Sequence, residues 1–242
     1  MTPQFLVDSL EIKKSIKIMS FVCTHCDRSF VKETSLVVHI CEQKRRQQEK
    51  DEPGVVIGLQ AYLRFYEFAQ GSSKLKTFDD FAKSNLYKAF VNFGRYCQSI
   101  KAINVPRFVD WVLANKKKID HWCKDSIYLE YLLDYLKKEN IKDALTRAEE
   151  QALRWHEETN NPAHDYLRFG NENKICYAIT TGRVSAWVLY NTDSGIELLS
   201  RLNQEQLSII WPFVDTDFWG KKFTEYAADA EYVKATLTAK GW

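Results

Sequence analysis

Phe21-Val22-Cys23-Thr24-His25-Cys26-Asp27-Arg28-Ser29-Phe30-Val31-Lys32-Glu33-Thr34-Ser35-Leu36-Val37-Val38-His39-Ile40-Cys41 sets the organisation of the whole chain. The pair Cys23 and Cys26, two residues apart, closes a tight turn that aims two sulfurs at one point. Phe30 and Leu36 supply a minimal apolar core between that turn and a short helix, and His39 returns an imidazole to the same point. A segment this small cannot bury enough surface to hold itself folded. A structural zinc ion, with an apparent binding energy on the order of 10–16 kcal/mol in such peptides, supplies what is missing. The stretch therefore predicts a ββα-type finger around one structural Zn2+.

The fourth ligand is less regular. No histidine follows His39 until His121, and the nearest donor is Cys41, two positions on. Two residues of α-helix turn through about 200°, so both side chains face one ion only if the helix ends or tightens at His39. Cys41 is the favoured ligand, giving the set Cys23, Cys26, His39 and Cys41, with His25 or a donor from elsewhere as alternatives. Four protein donors and no glutamate at a base-like offset argue for structural rather than catalytic metal.

Beyond Cys41 runs Glu42-Gln43-Lys44-Arg45-Arg46-Gln47-Gln48-Glu49-Lys50-Asp51-Glu52, closed by Pro53-Gly54. Pro53 breaks any helix that reaches it and biases Glu52 away from helix, so a module boundary falls there. The chain divides into a loose arm (1–20), the finger with its basic tail (21–52) and a helical domain (55–242). Met19 is an alternative start to Met1.

From Val55 the helical period takes over. Val55, Leu59, Tyr62, Leu63 and Tyr66 step by three and four until Gly71-Ser72-Ser73. Thr77 and Asp80 form a cap ahead of Phe81, Leu86, Phe90 and Phe93. Pro106 suits a first helical turn. A helix opening at Ser126 is apolar nearly all round and is expected at the centre. Residues 142–158 form another, with Ala144, Leu145, Ala148, Ala152, Leu153 and Trp155 inward, stopped by Asn160-Asn161-Pro162. Shorter helices follow, with turns at Gly170, 192–195 and Pro212. The β-branched content of 175–189 leaves room for one or two strands there. The aromatic groups Tyr62, Phe65, Tyr66, Phe68 and Trp211, Phe213, Phe218, Trp219 read as core. The fold class is mainly α, a small ββα-type finger followed by a multi-helix globular domain.

Composition narrows the function classes. The 242 residues are 45% hydrophobic and 27% charged, which excludes wholesale disorder. No apolar run reaches the roughly 20 residues of a membrane span, and the first 18 residues lack the apolar core of a signal peptide, so no membrane partner is expected. Six cysteines with no export signal point to the reducing cytoplasm, with Cys97, Cys123 and Cys176 as small core hydrophobes. A net charge of +2 does not by itself announce a nucleic-acid binder. There is no Gly-rich phosphate loop, no Gly-x-Ser-x-Gly elbow and no second histidine near His156, so an enzyme is not expected.

The finger resembles the zinc-finger family that uses two cysteines and two histidines, matching about three-quarters of its pattern and departing at the last ligand. The resemblance implies base-facing positions at Lys32, Ser35 and Val38. Lys32 suits guanine or phosphate, Ser35 is unselective, and Val38 suits a thymine methyl. One finger covers about 3 bp, so affinity would also need Lys44, Arg45 and Arg46 on phosphates. The same run, flanked by Glu42, Glu49, Asp51 and Glu52, reads equally well as a solvated face. The whole chain also resembles a group of proteins of large tailed bacteriophages, in which a small finger and a Cys-Glu-Gln-Lys-Arg-Arg-like stretch precede a helical body. The order of helices around 108–131 and 182–226 is similar to phage replicative-helicase loaders, which lack a finger. These resemblances imply a non-enzymatic accessory protein in phage replication, recombination or transcription, inside the host cell. The finger would touch DNA and the body would dock a phage or host protein. The alternative is an adaptor whose finger is a protein–protein clamp and which does not bind nucleic acid.

Overall fold

The computed structural model describes residues 20–71 and 75–242; the arm, apart from Ser20, and Ser72-Ser73 of the expected break lie outside the described residues. The chain is mainly α. Among the described residues the only sheet is a two-stranded antiparallel ribbon, β1 (Phe21–Val22) and β2 (Ser29–Phe30), with Phe21 opposite Phe30. Two short helices follow, α1 (Glu33–Val37) and α2 (Glu42–Gln48).

The first half of the body comprises α3 (Pro53–Gln70), α4 (Phe78–Lys83), α5 (Tyr87–Ser99) and α6 (Val105–Ala114). Pro53 opens α3 at its first turn, where its missing N–H costs nothing, and Gly71 at φ 71° ends that helix. Thr77 and Asp80 form the expected reciprocal cap. They open only α4; a break at 84–86 separates α4 from α5. Glycines let α3 and α5 meet backbone to backbone: a Cβ on Gly94 would lie 1.9 Å from the Gly54 carbonyl oxygen, and one on Gly58 2.7 Å from the Phe90 oxygen. Around this contact sits an aromatic core of Tyr62, Phe81, Phe90, Phe93, Phe108, Trp122 and Tyr131.

α7 (Asp125–Lys138) is the shared wall. Ile127 and Tyr131 complete the first core, while Leu132 and Leu136 belong to a second. That second core is enclosed by α8 (Ile141–Thr159), α9 (Tyr166–Phe169), α10 (Glu172–Thr180), α11 (Ala186–Leu189), α12 (Asp193–Arg201), α13 (Gln204–Val214), α14 (Thr216–Glu225) and α15 (Ala227–Ala239). Single-turn 3-10 helices at Ile119–His121 and Ala163–Asp165 complete the order. Asn160, left-handed at φ 57°, ends α8 where expected.

Four expectations are corrected. Residues 175–189 form α10 and α11, not strands: caps at Asn171 and Ser185 open helices that β-branching does not prevent. Pro212 lies inside α13, two residues before its end at Val214, where its missing N–H costs a single i→i−4 bond. Leu153 is exposed, about 100° around α8 from the buried Ala152. Phe68 and Trp211 are exposed as well. No helix of the described residues is long and apolar enough to cross a membrane.

Candidate metal centre

The turn after β1 is built by two backbone bonds, from the Cys23 N–H to the Arg28 oxygen at 2.9 Å and from the Asp27 N–H to the Cys23 oxygen at 2.8 Å. Asp27 takes the left-handed conformation, φ 56°, that the reversal needs. The amides of His25 and Cys26 reach the Cys23 sulfur and the Arg28 amide reaches Cys26, so the backbone itself forms an outer layer of donors around the sulfurs.

The opposite wall solves the problem posed by a two-residue spacing. α1 stops at Val37, and the His39 N–H bonds to the Leu36 oxygen at 3.1 Å, a tighter i→i−3 step. Cys41 is then extended, at φ −91° and ψ 167°, and is the N-cap of α2, its Sγ accepting the Lys44 N–H at 3.4 Å. One sulfur thus caps a new helix while facing the site. Residues 42–48, which the sequence presents only as a basic tail, are helical because this cap starts them.

Cys23, Cys26, His39 and Cys41 come together with their ligand atoms all within 4.8 Å of one another; His25 is not in the group. A tetrahedral ion with metal–sulfur bonds near 2.3 Å and metal–nitrogen bonds near 2.0 Å has S···S edges of about 3.8 Å and S···N edges of about 3.5 Å. The Cys23–Cys41 sulfurs lie 3.9 Å apart and the Cys26 sulfur lies 3.3 Å from His39 Nε2. Both edges fall within about 0.2 Å of that tetrahedron, and the other four, none longer than 4.8 Å, need at most about 1 Å of closing for the group to hold a metal ion. The His39 ring packs against Phe30 at 4.7 Å between centroids, which fixes the imidazole plane.

Charge is arranged for a cation. The His25 amide, aided by the amide and thiol of Cys26, holds the Cys23 thiol below its ordinary value. At Cys26 the Arg28 amide pulls the same way, but desolvation and the sulfurs of Cys23 and Cys41 outweigh it, and the thiol is raised. Sulfur ligands bind a metal as thiolates, so binding releases their protons.

The residues expected on a nucleic acid divide between the solvent and the body. Lys32, Ser35 and Val38 are exposed around α1. Arg45 is exposed with Glu49 3.9 Å away, and Lys44 points its Nζ at the His39 carbonyl oxygen, 3.3 Å away. Arg46 turns the other way. It is 9% exposed, donates to the Ala82 carbonyl oxygen at 2.5 Å and to Glu42 at 2.5 Å, and lies 4.2 Å from the Tyr87 ring centre. Its guanidinium fastens α2 to the body and does not face a phosphate. Gln47 to Asp79 at 2.8 Å and Arg95 to Glu52 at 2.7 Å extend the seam. The module boundary at Pro53 is therefore bridged by contacts.

Sequence reading missed the character of the finger's outer face. Val31 is 74% exposed, Val37 69%, Val38 76% and Ile40 68%. The signal was present in the sequence, since only one finger-helix residue, Leu36, has a core to enter.

No family model, curated protein or solved structure matches the chain.

Proposed function

We propose that the chain is a non-enzymatic adaptor whose finger, held by one structural zinc ion, presents an apolar face to a protein partner. The observation that carries this reading is that Val31, Val37, Val38 and Ile40, close together in the sequence, are all more than two-thirds exposed. Solvated aliphatic side chains this dense are typical of surfaces that are covered in use. Lys32 beside them, with Arg45 farther along, favours a partner whose apolar groove is rimmed by carboxylates. Zinc is the natural ion for three thiolates and an imidazole in tetrahedral array, and with four protein donors it keeps no open position for chemistry. The seam through Arg46 ties the finger to the body, so a partner on the finger is held near the helices.

The resemblance to phage proteins sets the stage on which such an adaptor would act: replication, recombination or transcription in an infected cell. A photocrosslinking amino acid placed at Val38 tests the reading there. The expected result is one nuclease-resistant adduct to a single other protein, lost when Ile40→Glu is added. An adduct to nucleic acid, or none, contradicts it.

A second reading, nucleic-acid contact by the finger itself, draws on the exposure of Lys32, Ser35 and Arg45. It does so without Arg46. Its test is salt-dependent binding to duplex, forked and single-stranded DNA, weakened by Lys32→Gln and Arg45→Gln together; no binding at low salt removes it.

A further inference from the structure

A group of lysines without carboxylate partners among the described residues lies on the body, far along the chain from the finger. Two adjoining clefts, of about 550 and about 390 Å³, share Lys137, Lys138, Lys222 and Tyr226. They run between the α7–α8 elbow and the α14–α15 elbow. Lys142 lines the first and Lys221 the second. Lys138 pairs with Asp134 at 2.6 Å, but Lys137, Lys142 and Lys221 have no carboxylate partner among the described residues. The acidic groups facing the clefts are fewer. Glu139 is buried and bound to Arg147, leaving Glu225 and Asp229.

The walls are aromatic. Tyr226 and Tyr232 are nearly half exposed. Lys222 donates to the Lys137 carbonyl oxygen and its ammonium lies 5.4–5.7 Å from the ring centres of Trp187, Trp219 and Tyr226, which fixes the floor. Trp187 also lines the first cleft, and its buried indole N–H has no hydrogen-bond partner among the described residues. The N-terminal turn of the 19-residue α8, capped by Asn140, forms part of the rim, where the helix dipole favours negative charge.

We propose that this cleft binds a short stretch of single-stranded nucleic acid, with Lys137, Lys142 and Lys221 on successive phosphates and Tyr226 and Tyr232 as stacking faces. A track of lysines beside exposed rings is what a flexible polyanion with planar bases requires. A folded duplex cannot offer its bases to those rings, and an acidic peptide does not carry a planar ring at every charged repeat as a single strand does. The proposal is independent of the finger's role, so either can fail alone.

Fluorescence anisotropy of a 5′-labelled 15-mer of deoxythymidylate with the full, metal-loaded chain tests it. Binding at 50 mM salt should weaken as salt rises. The triple variant Lys137→Gln, Lys142→Gln, Lys221→Gln should lose at least tenfold in affinity and flatten the log–log salt slope by about two, at roughly 0.7 per phosphate contact. Tyr226→Ala with Tyr232→Ala should lose roughly fivefold or more with the slope unchanged. All five side chains are partly or fully exposed, and an unchanged thermal melt shows that the fold is intact. Lys32→Gln with Arg45→Gln should leave the affinity alone. The proposal is overturned by no binding at 50 mM salt, by loss through the finger variant instead of the cleft variant, or by equal competition from polyglutamate.

Discussion

The finger and the body obtain their stability from different sources. Among residues 20–52 only Cys23 and Arg46 are buried: one belongs to the group that could hold a metal ion and the other is an anchor to the body. The body instead encloses two cores joined through α7, the first dense with rings such as Phe90, Phe93, Phe108 and Trp122. Aromatic pairs of this kind each add about 0.5–1.5 kcal/mol beyond the area they bury, and no ion is needed. A short segment can therefore hold its shape while spending its aliphatic residues on an outer face, provided that coordination replaces a core.

The largest expected effect comes from removing the metal. Chelation should abolish hydrogen-exchange protection in 21–48 and leave 55–242 cooperatively folded. The same treatment sharpens the contrast chemically. Burial pushes the Cys97 thiol up to about 12 and raises those of Cys123 and Cys176. At pH 8 a thiol of pKa about 12 is thiolate in roughly one part in 10⁴. After chelation, iodoacetamide should modify Cys23, Cys26 and Cys41 orders of magnitude faster than Cys97. Equal rates at all six would mean that the body opened with the finger.

Next is the glycine contact, which belongs to the body alone. Gly94→Ala places a methyl group 1.9 Å from the Gly54 oxygen, so α3 and α5 must separate. Denaturant titration should show a loss of about 3 kcal/mol or more, with metal stoichiometry unchanged. The seam is tested by Arg46→Ala, expected to cost about 1–3 kcal/mol through the bonds lost to Ala82 and Glu42 and to loosen α2 first. A loss of metal from the same variant would show that seam and site are coupled more tightly than their geometry implies.

Acidification should give the smallest effect. The Arg46 guanidinium, bonded to Glu42, holds that carboxyl below its ordinary value of 4.5. The folded value lies under the unfolded one, so this contribution is complete above about pH 4.5 and fades as pH falls through the depressed value. Exchange rates in α2 should rise there before those in α7; Glu42→Gln should remove the difference.

What was legible in the sequence was local. The caps at Thr77 and Asn160, the proline at the start of α6 and the spacing of Cys23, Cys26 and His39 each rest on neighbours within one or two turns. The requirement that α1 end near His39 followed from helix geometry alone. What was not legible depends on distant partners. Arg46 lies in a run of charges, and only the Ala82 carbonyl and the Tyr87 ring, both more than 30 positions away, turn it inward. Gly54, Gly58 and Gly94 gain their meaning from one helix crossing. Lys137, Lys142 and Lys221 line two adjoining clefts only because two helical elbows meet. Pro212 and Leu153 misled because periodicity and breaker rules report an average helix, whereas a proline in a last turn or a slightly narrower buried stripe satisfies the physics as well.

The central claim is that Cys23, Cys26, His39 and Cys41 jointly hold one structural ion. X-ray absorption at the zinc edge of the purified full chain tests it most directly. The account predicts a four-coordinate shell of three sulfurs near 2.3 Å and one nitrogen near 2.0 Å, at one zinc per chain. An absent edge, or a shell with only two sulfurs, would contradict it.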